Sequence, residues 1–219
     1  MKKLLVLILT LSLFASVASA SLITGVVRSN GTSGNRTPIG VFDGSTAPMA
    51  TQPGGLMDGN IVFSDRDYPW SNIPAEIIGA EYVRTFNTDK GGTGSATVTY
   101  AVTISRPCSV AVTVDDRIPA EWNNNGAILT QQDAVDAVVA AFAAPGTFQD
   151  TGLNVAIHEN ATTDRPMSVY AAILPAGTYV FGQQPSGKNF YTIGAIPEPA
   201  TMLLLGLGGL ALLGGRKRR

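Results

Sequence analysis

A mainly β fold, a sandwich of short strands with one helix set between two targeting segments, is what this 219-residue sequence predicts. Three features predict it. Apolar residues alternate with polar ones at period two in several runs, most clearly ATVTYAVTI (96–104) and SVAVTVD (109–115); that spacing puts one face of a strand on a core and the other toward solvent. Gly, Pro, Asn and Asp break the chain at short intervals, leaving about eight to ten brief strands in the manner of a β-sandwich. Only one stretch carries helical spacing, and the two chain ends read as sorting signals rather than as parts of the body.

The chain begins MKKLLVLILTLSLFASVASA. Lys2 and Lys3 precede an apolar run from Leu4 to Phe14, and Ala18-Ser19-Ala20 supplies small residues at the cleavage positions. This is the layout of a secretory signal helix. Cleavage guided by Ala18 and Ala20 makes Ser21 the first residue of the mature chain. The segmentation is then 1–20 signal, 21–59 a low-order region with short strands, 60–195 the sandwich, and 196–219 a tail.

Removing both targeting segments changes the charge. Of 15 Lys and Arg, six lie in them (Lys2, Lys3 and four tail cations); of 16 Asp and Glu, one does (Glu198). The exported body is therefore near −6, against −1 for the whole chain. That balance argues against nucleic acid or anionic lipid as partners. The single cysteine, Cys108, excludes an internal disulfide, so stability has to come from the core.

Within 29–59, Asn30-Gly31, Pro38, Pro48 and Pro53-Gly54-Gly55 punctuate the chain, and only 39–42 reads as a strand. Strands are next expected at 60–64 and 81–87. The runs 96–104 and 109–115 are separated by Ser105-Arg106-Pro107-Cys108, a length that suits a hairpin. Thr130 and Asp133 form a capping-box pattern, with Asp in place of the usual Glu. Val135, Val138, Val139 and Phe142 then make a helical stripe over 131–144, stopped by Pro145-Gly146. Later strands are expected at 153–158, 168–174, 177–181 and 190–193, with Pro175-Ala176-Gly177 as a turn.

Two groups of residues suggest ligand chemistry. Phe63-Ser64-Asp65-Arg66-Asp67-Tyr68-Pro69-Trp70 and Val114-Asp115-Asp116-Arg117, read with Trp122, combine flat aromatic rings with carboxylates and guanidinium groups. A sugar site needs both, a ring face for the C–H side of a pyranose and polar groups for its hydroxyls. Trp70, Trp122, Asp115, Asp116 and Arg117 are the candidates, with Asn123, Asn124 and Asn125 beside them. The competing reading makes the tryptophans core anchors and the Asp–Arg neighbours structural pairs. Asp65, Asp67, Asp115 and Asp116 are also candidates for Ca²⁺, which takes six to eight oxygens, although the sequence contains no Asp-x-Asp-x-Asp-Gly loop. No other cofactor is indicated. Cys108 and His158 are the only residues of their kinds, too few for a zinc site. As a nucleophile and base they compete with the plainer reading of a buried thiol and a solvated imidazole. A glycan hydrolase would need a carboxylate pair that sequence cannot select. The body is expected to be non-enzymatic.

The tail is the most specific part of the chain. Pro197-Glu198-Pro199 is followed by an uncharged run from Ala200 to Gly215 and then Arg216, Lys217, Arg218 and Arg219. As a helix the run would be about 24 Å long, enough for a single membrane span if its flanking cations snorkel. The four cations would hold the chain end in the cytoplasm and leave the body outside. This three-part order resembles the PEP-CTERM protein-sorting domain of Gram-negative bacteria. The resemblance implies recognition at Pro197, Glu198 and Pro199 by an exosortase, a membrane cysteine transpeptidase. The inner membrane would serve as a transit anchor, and the body would pass to the envelope surface or an exopolysaccharide matrix. The body itself, over 60–175, more loosely resembles galactose-binding-like jelly-roll modules of exported proteins, which implies a sandwich and a carbohydrate ligand.

Overall fold

The computed structural model describes residues 20–30, 37–42, 51–90, 98–118, 123–124, 127–128, 130–160, 162–184 and 188–197, with backbone alone for 37–42, 123–124 and 127–128. The expected signal helix and membrane span both lie outside these residues. Among the described residues no helix is long and apolar enough to cross a membrane.

The body is a two-sheet sandwich. Its strands are β1 (Ile23–Asn30), β2 (Thr37–Phe42), β3 (Trp70–Ser71), β4 (Glu81–Val83), β5 (Val98–Ile104), β6 (Cys108–Asp115), β7 (Asn123–Asn124), β8 (Ala127–Ile128), β9 (Gln149–Asn160), β10 (Thr163–Leu174), β11 (Gly177–Phe181) and β12 (Thr192–Ile196). One sheet has the order β11-β5-β1-β2, the other β3-β9-β10-β6-β12-β4, and β7 pairs with β8 apart from both. Every pairing within the sheets is antiparallel. This is the two-layer architecture that the galactose-binding-like resemblance implies.

The alternating runs behave as their spacing demands. Val98, Tyr100, Val102 and Ile104 of β5, with Val110, Val112 and Val114 of β6, are all buried in one core cluster. Tyr100 meets Phe190 at 5.9 Å and Tyr191 at 6.5 Å between ring centroids, which ties the smaller sheet to residues leading into the larger one. Burial raises the Tyr100 and Tyr191 phenols above their ordinary pKa, so both remain neutral in the core.

Several expectations change. β5 and β6 are not a hairpin, because β5 lies in the four-stranded sheet and β6 in the six-stranded one. Residues 105–107 cross between the layers, so the two valine rows enter the same core from separate sheets. Period two shows that a strand is half buried; it does not say whether the next strand lies beside it or opposite. The turn at 175–177 makes the same crossing, from β10 to β11. Of the strand expected at 60–64 only a bridge between Ile61 and Pro69 forms.

The largest difference is β1, which pairs with both β2 and β5 inside the four-stranded sheet. Residues 23–30 are therefore an interior strand of the sandwich, within the 21–59 segment expected as a low-order region with short strands, where only 39–42 reads as a strand in the sequence. Register shifts interrupt both of its ladders, between Ile23 and Gly25 and between Arg28 and Ser29. Its buried positions are Ile23, Val26 and Ser29, three residues apart. Bulges of this kind erase the period-two signal.

The helix, α1 (Gln131–Val139), forms as its cap predicts. The Asp133 amide donates to Thr130 Oγ1 at 3.1 Å and the Thr130 amide to Asp133 Oδ2 at 2.7 Å. Ala134, Val135, Val138 and Val139 are buried. The helix stops before the expected 144, and Phe142 in the following turn packs on Phe148, Tyr179 and Phe181. Gly182 closes the joint: its amide donates to the Val138 carbonyl at 2.6 Å, and a Cβ there would lie 3.2 Å from the Ala137 oxygen.

Candidate functional site

Antiparallel pairing brings four chain segments to one end of the six-stranded sheet. Met167 of β10 lies opposite Asp115 at the end of β6. His158 on β9 lies opposite Asp164 at the start of β10. Thr192, the first residue of β12, lies opposite Thr113. Asp115, Glu159, Arg165 and Asn189 therefore meet, and their side chains form a continuous polar seam.

Asp115 is fully buried and charge-paired. Arg117 donates to it twice, Nε to Oδ1 at 2.8 Å and Nη2 to Oδ2 at 2.6 Å, and the Arg117 amide adds a third bond at 2.9 Å. A forked guanidinium–carboxylate contact is the strongest form such a pair takes. The hydrogen bond to Asp115 raises the Arg117 pKa against the opposing effect of burial. Arg117 also reaches Glu159 Oε1 at 3.1 Å, while Arg165 Nε donates to Oε2 at 2.7 Å and Asn189 Nδ2 to Oε1 at 2.8 Å. Burial works against the Glu159 charge, but these donors and the two guanidinium charges outweigh it and hold its pKa below the ordinary value.

The seam continues inward. The Asn189 amide donates to Asp115 Oδ2 at 3.3 Å, and Asn87 Nδ2 donates to Asn189 Oδ1 at 3.3 Å. The amides of Asn87 and Thr88 donate to the two oxygens of Asp65, at 2.7 and 3.0 Å. The two segments grouped from sequence, one around Asp65 and one around Asp115, are thus joined by two asparagines. Asp116 faces another way: it accepts from Gln131 Nε2 and from Ser168 Oγ, both at 2.7 Å, and so ties α1 to β10.

These contacts favour the structural reading of the candidates. The Trp70 ring is only 1% exposed, within the core, edge-on to Tyr82 at 5.9 Å. It has no free face on which a sugar ring could stack. Trp122 and Asn125 lie outside the described residues, as do the side chains of Asn123 and Asn124. Three of the four carboxylates expected as Ca²⁺ ligands are engaged separately, Asp65 by backbone amides, Asp115 by Arg117, Asp116 by Gln131 and Ser168; the fourth, Asp67, is exposed. Among the described residues no group of three or more His, Cys, Asp or Glu side chains is placed to hold a metal. Cys108 is buried at the start of β6, opposite Leu174 at the end of β10. His158 lies opposite Asp164 near the start of the same strand, about 30 Å away at the rise of a β-strand. It bonds Asp164 at 2.7 Å, so thiol and imidazole share no site.

Sequence reading missed Glu159, Arg165, Asn87 and Asn189. It also missed a second cluster, in which Asp89 accepts from Arg28 and from Tyr100, and Arg28 stacks 4.1 Å over Phe86. A lone acidic, basic or amide residue at a strand end has no periodicity to expose it. Only the strand pairings bring these residues together.

The seam residues Asp115, Arg117, Glu159 and Arg165 are engaged with one another; the chain's destination is written in the tail. Residues 195–219 match the family model described as the PEP-CTERM protein-sorting motif. That motif marks the chain as an exported protein, handled by an exosortase-type sorting system and bound for the cell surface or envelope. No curated protein matches the chain. Among solved structures, a β-glucuronidase from glycoside hydrolase family 2 aligns with 67% of this chain and 13% of its own, at 17% identity and a TM-score of 0.45. A likeness that distant carries no argument about activity.

Proposed function

We propose that the body is a non-enzymatic surface or matrix module, delivered by its sorting tail and associated with exopolysaccharide once released. The observation that carries this reading is the joining of a sorting motif at 195–219 to a sandwich whose candidates Asp115, Asp116 and Arg117 are bonded internally. In the described part of the seam each carboxylate and guanidinium holds a neighbouring strand end or loop. A catalytic acid or base would have to be released from such contacts before it moved a proton. The body's negative charge favours uncharged glycans over anionic polymers as its surroundings.

The test is co-sedimentation of the processed protein with exopolysaccharide isolated from producing cells, with and without Ca²⁺. The expected result is co-sedimentation with no change in polysaccharide chain length. Shortened chains would replace this reading with a hydrolase, and protein that stays in the supernatant would remove the polysaccharide association. Binding to defined glycans that is lost in Trp122→Ala would instead identify a carbohydrate-binding module.

A further inference from the structure

Where the mature chain begins, one carboxylate is arranged around its first three residues. Glu81, on edge strand β4, accepts from Ser21 Oγ through Oε2 at 2.7 Å, from the Leu22 amide through Oε1 at 2.8 Å and from the Ile23 amide through Oε2 at 2.8 Å. Leu22 and Ile23 are buried, so this stretch is docked rather than loose. Ser105 grips it from the other side, its amide donating to the Leu22 carbonyl at 2.9 Å and its hydroxyl to the Ser21 carbonyl at 2.7 Å. Among the described residues no cation pairs with Glu81. Asp89, Asp115 and Glu159 each face a guanidinium, whereas Glu81, like Asp116, gathers only uncharged donors; at Glu81 those donors belong to the first three residues after Ala20.

We infer that Glu81 is the receptor for the α-ammonium group created when the signal is removed at the Ala20–Ser21 bond. The inference rests on that cleavage position. Hydrolysis of the Ala20–Ser21 amide leaves a carboxylate on the departing signal and a protonated amine on Ser21. The amine is bound to the carbon that carries the Ser21 hydroxymethyl group, so covalent geometry holds it within about 6 Å of the Glu81 carboxylate. Before cleavage that nitrogen is a neutral amide; afterwards it is the cation this site lacks. A carboxylate at that range favours the charged form of the amine.

The position matters as well. Glu81 pairs with Ala195 of β12 across the sheet edge, two residues before Pro197. The docked amino terminus and the root of the sorting tail therefore leave the same end of the sandwich. Signal removal completes an ion pair at the end of the body from which the tail still runs to the membrane. It strengthens the fold there while the body is tethered by the tail alone.

The experiment uses protein exported and processed from the full chain. Intact mass establishes the first residue, and the pH profile of α-amine acylation is read on the amino-terminal peptide. Folded wild type is compared with the same protein in urea and with Glu81→Gln. The folded wild-type half-point should lie about one pH unit above that of the urea-unfolded chain, and Glu81→Gln should erase the difference. A chain that begins at Ser21 with coincident folded and unfolded profiles overturns the receptor while leaving the cleavage position intact. A chain that begins at another residue overturns both. The folded-against-unfolded comparison within wild type decides the matter even if Glu81→Gln does not fold.

Discussion

At the scale of single residues, charge pairing holds the seam together. Asp115 is 0% exposed and accepts two bonds from the Arg117 guanidinium, so Asp115→Ala would leave a partly buried guanidinium without its main partner. The expected loss is about 2 kcal/mol or more, measured by urea unfolding. Glu159 gives a pH signature. Its pKa is lowered on folding, so its contribution is present above the unfolded value of about 4.3 and is lost as pH falls through the lower folded value. Stability should decline with acid below about pH 4, and Glu159→Gln should flatten part of that decline in melts taken across the range. Sequence could point to Asp115 and Arg117, because an acidic pair followed by a cation at a strand end is visible in the chain. It could not point to Asn87 and Asn189, whose importance comes from the bond between them. Trp70 had a plausible sugar-facing role until its burial against Tyr82 was known.

At the scale of elements, legibility followed regularity. α1 was readable because its cap and its apolar stripe are both local patterns. Thr130→Ala should lower stability by about 1 kcal/mol, read as a shift in the unfolding midpoint. β1 was hidden because its bulges space the buried residues three apart. The β5–β6 connection was misassigned because crossovers and hairpins share the same loop length. A tight contact elsewhere also escaped the sequence. Gly55 has φ +71°, and a Cβ there would fall 2.5 Å from the Gly79 carbonyl oxygen. Its turn is pressed on a neighbouring backbone that cannot rotate away. Gly55→Ala should therefore cost well over ~1 kcal/mol, more than the usual penalty for a side chain in the left-handed region, and thermal melts of the two proteins would show it.

At the scale of the whole molecule, the chain separates carriage from cargo. The body has a core and two sheets; the tail carries the sorting motif. A body near −6 that associates with uncharged glycan should co-sediment to a similar extent at low and physiological salt, because screening has little attraction to remove. The central claim, that the tail decides where the body goes, is tested most directly by fractionating cells that express Pro197→Ala/Pro199→Ala. The account predicts that the full-length precursor stays in the inner membrane while wild-type body reaches the surface fraction. Equal surface release from the double variant would contradict it.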